Sequence, residues 1–212
     1  VRALVRTSSS PERLAALRAL GVELALGDLR DPESLRRACR GVDRVVSTAT
    51  AVSAKDPADT LLNVDGDGQL ALIAAAEQEN VQHFVYVSFS GGLNLDSPLH
   101  AAKRRAEERL RASGMTYTIL RPTAFAEIWL SPHLGFDVVG GQVTVLGSGD
   151  APISFISAQD VARFCLIALT DPSARNCTIE LGGPEGVTFN EAVRLAEGAL
   201  GRVLTVQHLP IE

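Results

Sequence analysis

The chain of 212 residues contains few cysteines, and the three it has, Cys39, Cys165 and Cys177, are odd in number and widely spaced. That argues against a disulfide framework or a cysteine metal site and favours free thiols in a reducing, cytoplasmic compartment. No apolar run approaches membrane-spanning length, and no secretory leader opens the chain. There is no basic tract and the formal net charge is −5, so a nucleic-acid surface is not expected. Histidine and carboxylate clusters with metal spacing are absent, as is the Gly-x-Ser-x-Gly elbow of a serine hydrolase. Internal repeats and low-complexity segments are also missing. One further absence concerns the glycine-rich strand-to-helix turn that cradles a dinucleotide. Gly66-Asp67-Gly68 lacks a preceding strand and a third glycine, and Gly147-Ser148-Gly149 falls in a hairpin-like turn. Both read as ordinary turns.

What is present is enough for one sizeable core and a small second lobe, because hydrophobic residues make up 46% and the charges are mixed in sign. Val1–Arg6 reads as a strand. Ser9 and Glu12 have capping-box spacing before a helix whose apolar stripe is Leu14, Leu17 and Leu20, and Gly21 stops it. Val22–Leu26 is a strand, and Asp31 and Pro32 open a helix through Ala38. Asp43–Thr48 is the next strand, Ala49–Thr60 a loop, and Leu70–Glu79 a helix. The second part is less regular. Ala124–Leu130 reads as a short helix, and Val143–Leu146 and Ile153–Ile156 as short strands joined by Gly147–Asp150. Ser157 and Asp160 cap a helix through Leu169. Thr178–Leu181 is a strand, Thr188–Leu200 an amphipathic helix, and Val203–His208 a last strand. Strands alternating with helices imply right-handed crossovers and a mostly parallel, doubly wound α/β sheet. The expected division is a core over 1–121 and a smaller lobe over 122–212, with elements near 153–182 returning to the core.

The stretch Phe84–Lys103 is the predicted reaction centre. Its first residues suit a strand buried on both faces, and Ser88, Phe89, Ser90, Gly91 and Gly92 end that strand. After a loop, Ser97 and Pro98 start a helix carrying His100, Lys103 and Glu107 on one face, with a stop at Gly114. Ligands of open α/β sheets bind beyond the carboxyl ends of the strands. The strand Met115–Arg121 follows, ended by Pro122.

In the doubly wound order the first strand lies mid-sheet, between the second and the fourth. If Val1–Arg6 is the second strand, two unpaired edges result. The expectation is therefore that a strand–turn–helix of roughly 30 residues is missing ahead of Val1. The alternative is a rearranged sheet that closes without it.

Taken together, VRALVR, GDLRD, VVSTA, FVYVSFSGG, HAAKRRAEE, YTILRPTAFAE and ISFISAQDVA resemble the NmrA-like branch of the atypical short-chain dehydrogenase/reductases. The resemblance covers nearly the whole chain. It implies a Rossmann core that binds NAD(P) and a small C-terminal lobe closing over the substrate side. It also implies either an NADPH-dependent reductase or a catalytically silent cofactor sensor. Where ordinary short-chain dehydrogenases carry a tyrosine four residues before the lysine, this chain has Leu99. That departure disfavours classical tyrosine chemistry and a sugar-nucleotide epimerase.

Arg6 stands where NAD-specific folds end a strand in an acidic residue. An arginine there suits the 2′-phosphate of NADP, with Thr7 and Ser8 adding hydroxyls; otherwise it is a solvated strand end. The resemblance places Asp28 and Leu29 beside the adenine, and Ser47, Thr48 and Ala49 near the ribose and nicotinamide. Lys103 is assigned to the nicotinamide ribose and to proton transfer, or else to a surface pair with Glu107. Arg104, Arg105, Glu108, Arg109 and Arg111 read as a solvated face. Ser88 and Ser90 orient a carbonyl or simply end the strand, and His100 replaces the lost tyrosine as proton donor or is idle. Pro122, Thr123 and Phe125 border the nicotinamide and substrate pocket by resemblance. Phe125, Ile128 and Trp129 share an apolar face that reads as lobe packing or as a wall of that pocket. The expected cofactor is NADP, with NAD as the alternative. The expected partner is a small apolar carbonyl or activated alkene, or a protein in the sensor case.

Overall fold

The computed structural model describes residues 1–52, 54, 56–92 and 97–210. The loop expected after Gly92 lies outside the described residues at 93–96, as do two positions of the 49–60 loop. The chain divides into two compact units, one of residues 1–120 and 167–179, the other of residues 121–166 and 180–212.

The first unit is α/β with parallel pairing. Strand β1 (Arg2–Val5) pairs with β2 (Glu23–Leu26), and β3 (Arg44–Ser47) with β4 (His83–Val87), which pairs in turn with β5 (Thr116–Pro122). Beyond β5 lies β8 (Cys177–Leu181). All five residues of β4 are buried, as a central strand covered on both faces requires. Around it Leu35, Ile73, Phe84, Tyr86, Leu110 and Ile119 are fully buried. Each such side chain contributes about 1.5–3 kcal/mol on leaving water.

The helices start where local chemistry favours it. Asp31 caps α2 (Pro32–Cys39), accepting from Glu33 and Ser34 N–H, with Pro32 in the first turn. Helix α4 (Pro98–Arg111) is capped by Ser97, which accepts from the His100 N–H at 3.2 Å. Helix α1 (Pro11–Ala19) departs from expectation. Its cap is Ser10, while the Ser9 Oγ accepts from the Arg6 N–H. No residue of α1 is buried, and Leu20 of the predicted stripe is 78% exposed.

Helix α3 (Asp67–Gln78), expected only from Leu70, is preceded by one π-helical turn over Leu61–Gly66, and Gly66-Asp67-Gly68 joins the two rather than forming an ordinary turn. Thr60 and Asn63 cap it reciprocally. The wide turn carries Val64, Asp65 and Gly66 inward. Gly68 is required by close packing, since a Cβ there would lie 2.6 Å from the Asn63 carbonyl oxygen and 2.9 Å from Leu29 Cβ.

The sheet does not rearrange to close. Val1 and Val5 carbonyls accept from Glu23 and Gly27 N–H, so Arg2 and Leu4 turn their backbone groups the other way. Asp43 O likewise accepts from Gln82 N–H, so Arg44, Val46 and Thr48 face away from β4. Among the described residues those groups have no backbone partner. A cleft of about 1190 Å³ is lined by Val1 and the β1 residues Arg2, Ala3 and Leu4, and by residues 43–49.

In the second unit β7 (Gln142–Leu146) pairs antiparallel with β6 (Phe136–Asp137) and parallel with β9 (Thr205–Leu209). The hairpin expected between 143 and 156 does not form. Ile153 bridges to Val187 and Ile156 to Phe125, while Gly147 N–H donates to Leu209 O at 2.7 Å. The parallel β9 takes the edge of β7 that a hairpin would have used. Helix α5 (Ala126–Trp129) is a single turn. Helix α6 (Ala158–Thr170) starts at Ser157, whose hydroxyl and Asp160 bond reciprocally. Thr188 and Glu191 form the capping box of α7 (Phe189–Leu200).

Candidate cofactor and active site

Helix α4 buries Ala102, Lys103, Ala106, Glu107 and Leu110, a three- and four-residue spacing that puts one face against the core. Lys103 therefore enters the interior with its amine. It is 4% exposed, its Nζ lies 3.1 Å from Asp65 Oδ1 and 5.2 Å from the centre of the Tyr86 ring, and it donates to Val87 O at 3.5 Å. Burial lowers the lysine pKa, and the charges of Asp65 and Glu107 oppose that shift. The surface Lys–Glu pair is thus overturned. The partner of Lys103 is Asp65, delivered by the π turn and anchored by accepting from Ala51 N–H at 2.8 Å.

Glu107 is fully buried one helical turn further on. It accepts from the Ser88 hydroxyl at 2.6 Å, from Arg111 at 3.0 Å and from Arg104. Arg104 reaches on to the carbonyls of Phe89 at 2.7 Å and Ser90 at 3.1 Å. Arg104 and Arg111 are therefore not a solvated face. Their charges neutralise a buried carboxylate, and Arg104 pins the strand end at β4. Arg104 Nε also donates to His100 Nε2 at 3.2 Å, which leaves Nδ1 as the ring's donor. Ser90 is buried, and its Oγ accepts from Gly92 N–H. Tyr86 is fully buried, its hydroxyl has no hydrogen-bond partner among the described residues, and burial, then Asp65 and Glu107, pushes its pKa up.

At the ends of β1 and β2 a cleft of about 220 Å³ is lined by Arg6, Gly27, Asp28, Leu29, Ala49, Thr50 and Asp59, among others. Arg6 Nη1 donates to Asp59 Oδ2 at 2.6 Å. Asp28 is gripped by Arg30 through Nε at 2.9 Å and Nη2 at 2.7 Å, which holds its carboxyl below the usual range. Thr7 and Ser8 lie exposed in the turn after β1. Thr48 is exposed on the larger cleft beside β3, and Ala49 borders both clefts. Ser47 is buried and donates to Gln69 Oε1 at 2.8 Å, while Gln69 Nε2 donates to Ala49 O at 3.1 Å.

The remaining site residues belong to the second unit. Pro122 is buried, Thr123 N–H donates to Leu181 O at 2.9 Å, and its hydroxyl donates to Ser154 O. Phe125 is half-buried, whereas Ile128 is 37% and Trp129 41% exposed. Lobe packing therefore does not hold for the last two. The bridge from Phe125 to Ile156 draws one side of α5 inward, and a single turn cannot bury the other.

Sequence reasoning missed Asp65, Gln69, Tyr86, Asp59 and Arg30. Asp65 sits in NVDGDG, whose glycines read as a turn, and Tyr86 passed as one apolar letter in a buried strand. Asp59 carries no local signal, because it gains meaning only from Arg6 and Arg30 far along the chain, and the fork of Arg30 onto nearby Asp28 does not reveal its third arm toward Asp59.

The sequence profile of the family described as NAD(P)H-binding matches residues 1–172. A photosystem II assembly factor from Trieres chinensis is 34% identical over 212 residues, which cover all of this chain and 65% of that protein. An NAD(P)H azoreductase from Xenophilus azovorans is 30% identical over all of this chain and 69% of its own length. The chain thus spans about two thirds of these relatives. Among solved structures, the Citrobacter sp. triphenylmethane reductase complexed with NADP(H) superposes with a TM-score of 0.79 at 21% identity. That superposition covers 100% of this chain and 70% of the reductase and establishes the shared fold. With the profile spanning most of the chain and parallel strands opening onto the clefts described, the protein belongs to the NAD(P)H-binding family of NmrA-like, atypical short-chain dehydrogenase/reductases.

Proposed function

We propose that the chain is the cofactor-binding core and substrate lobe of an NADPH-preferring reductase acting on a small, apolar carbonyl or activated alkene. The observation that carries this reading is the Lys103 amine, buried at the head of α4 beside Asp65 and the end of β4. A lysine whose pKa is lowered by burial gives up its proton more readily than a solvated one, as a general acid requires. The residues around the smaller cleft fit the adenosine end of the cofactor. Leu29 supplies an apolar floor, Asp28 a fixed carboxylate, and Arg6 a cation for the 2′-phosphate, with Thr7 and Ser8 beside it. Thr48, Ala49, Pro122 and Thr123 are assigned to the rest of the cofactor. Bound NADPH supplies the hydride. The work of the chain is positioning. Asp65 aims Lys103, Glu107 takes the one hydroxyl proton of Ser88 and so holds the end of β4, and Ser90 orients the substrate oxygen. His100, whose Nε2 accepts from Arg104, offers its Nδ1–H as a hydrogen-bond donor to the substrate oxygen, and Phe125 and Trp129 form an apolar wall in the second unit.

A second reading is a non-catalytic NADP(H)-binding sensor that regulates a protein partner. It is favoured by the ion pair that already occupies the Lys103 amine and by the likeness to proteins named as assembly factors. The test is NADPH oxidation with a panel of enones and quinones, alongside direct cofactor binding. Turnover lost in Lys103→Ala with the fold intact supports the reductase, and undiminished turnover removes Lys103 from the chemistry. Tight binding without turnover on any acceptor favours the sensor.

A further inference from the structure

The Asp59 carboxylate lies between two guanidinium groups. Arg6 Nη1 is 2.6 Å from its Oδ2, and Arg30 Nη1 is 3.4 Å from its Oδ1. The Asp59 side chain is 5% exposed, yet Oδ1 accepts no hydrogen bond among the described residues. A buried carboxylate ordinarily fills its lone pairs, so this anion is incompletely held. Arg30 is the better-anchored cation. Its Nε and Nη2 fork onto Asp28, which leaves Nη1 as the arm directed to Asp59. Both Arg6 and Asp59 line the cleft of about 220 Å³ at the end of β1. Two arginines and two aspartates sum to zero, so a dianionic phosphate brought to this cluster gains little unless one carboxylate withdraws.

We infer that Arg6 and Arg30 together form a two-guanidinium seat for the ribose 2′-phosphate of NADP, and that Asp59 is the internal anion that competes for that seat. The inference rests on the reading that the chain binds NADP(H). It adds Arg30 and Asp59 as residues that set cofactor choice. Phosphate and carboxylate offer a guanidinium the same planar pair of acceptors, so one replaces the other without rearranging Arg6. With NAD the ribose presents a hydroxyl. A carboxylate left in place accepts from it, as the acidic residue of NAD-specific folds does. Asp59 therefore opposes the phosphorylated cofactor and assists the other, a sign pattern that a purely structural ion pair does not produce.

The test is titration of the full chain with NADPH and NADH, followed by nucleotide fluorescence, with adenosine 2′,5′-bisphosphate and 5′-AMP as competing probes. Asp59→Asn is expected to tighten NADPH binding by about threefold to tenfold and to weaken NADH binding. Arg30→Gln, a change on a side chain one-third exposed that also releases Asp28, is expected to weaken NADPH about tenfold and NADH by no more than about twofold to threefold. Adenosine 2′,5′-bisphosphate should follow NADPH in both variants, and 5′-AMP should follow NADH. Losses of equal size for the two dinucleotides, or NADPH affinity unchanged in Arg30→Gln, would overturn the inference. Should Asp59→Asn lose its thermal transition, Arg30→Gln decides alone. Wild-type protein that binds neither dinucleotide removes the cofactor reading itself, whereas wild-type binding of NADPH with indifferent variants removes only the roles of Arg30 and Asp59.

Discussion

Replacing Asp65 by asparagine keeps the shape of the π turn and removes the charge that Lys103 faces. Unit charges 3.1 Å apart attract by about 5 kcal/mol at an effective dielectric near 20. Removing one member of a buried pair costs about 3–5 kcal/mol, because the other is left without compensation. Here the Val87 carbonyl and the Tyr86 ring remain as weak partners, so the lower part of that range is expected. With a urea slope of about 2 kcal/mol per molar, the far-UV dichroism midpoint should fall by about 1.5–2 M at pH 7. The sign with pH is fixed by the lysine. Its folded pKa is already lowered from 10.5, and losing Asp65 lowers it further. Between that folded value and 10.5 the unfolded chain binds more protons, so stability rises with pH through the window. The deficit must therefore be larger at pH 7 than at pH 10. The double variant Asp65→Asn/Lys103→Met should recover more than half of it. A midpoint shift under about 0.5 M, or one equal at both pH values, would refute this account of the pair.

Tyr86→Phe removes a buried hydroxyl without a partner among the described residues, so the thermal midpoint should stay level or rise by the equivalent of up to about 1 kcal/mol. Ser88→Ala strips a 2.6 Å donor from the fully buried Glu107 and should cost about 1.5–3 kcal/mol in urea unfolding. Gly68→Ala drives a methyl against the Asn63 carbonyl and Leu29, and a loss of about 1–3 kcal/mol by the same measurement is expected. A neutral result there would mean that the π turn yields.

The order of strands and helices in the first unit was readable because β4 is apolar from Phe84 to Val87 and two helix starts are explicit in Asp31-Pro32 and Ser97-Pro98. The period of α4 likewise placed His100, Lys103 and Glu107 on one face. What they meet there was not readable. Lys103 and Glu107 point to different partners, one supplied by Asp65 from a turn 38 positions earlier in the numbering and the others by Ser88, Arg104 and Arg111. Helical spacing specifies direction and is silent about the neighbouring element. The 143–156 hairpin failed for a similar reason. Two short β-rich runs around a glycine turn suit a hairpin locally, and the more distant β9 wins the free edge of β7.

The facing margins of β1 and β3 present two opposed ladders of unspent amides and carbonyls, contributed by Arg2 and Leu4 on one margin and by Arg44, Val46 and Thr48 on the other. Main-chain groups read direction and extension, and they are blind to side-chain identity. An extended segment would pair with either margin through its main chain alone. Selectivity at such a margin falls to the alternating side chains above and below it, and an open strand margin is the feature through which β proteins associate edge to edge.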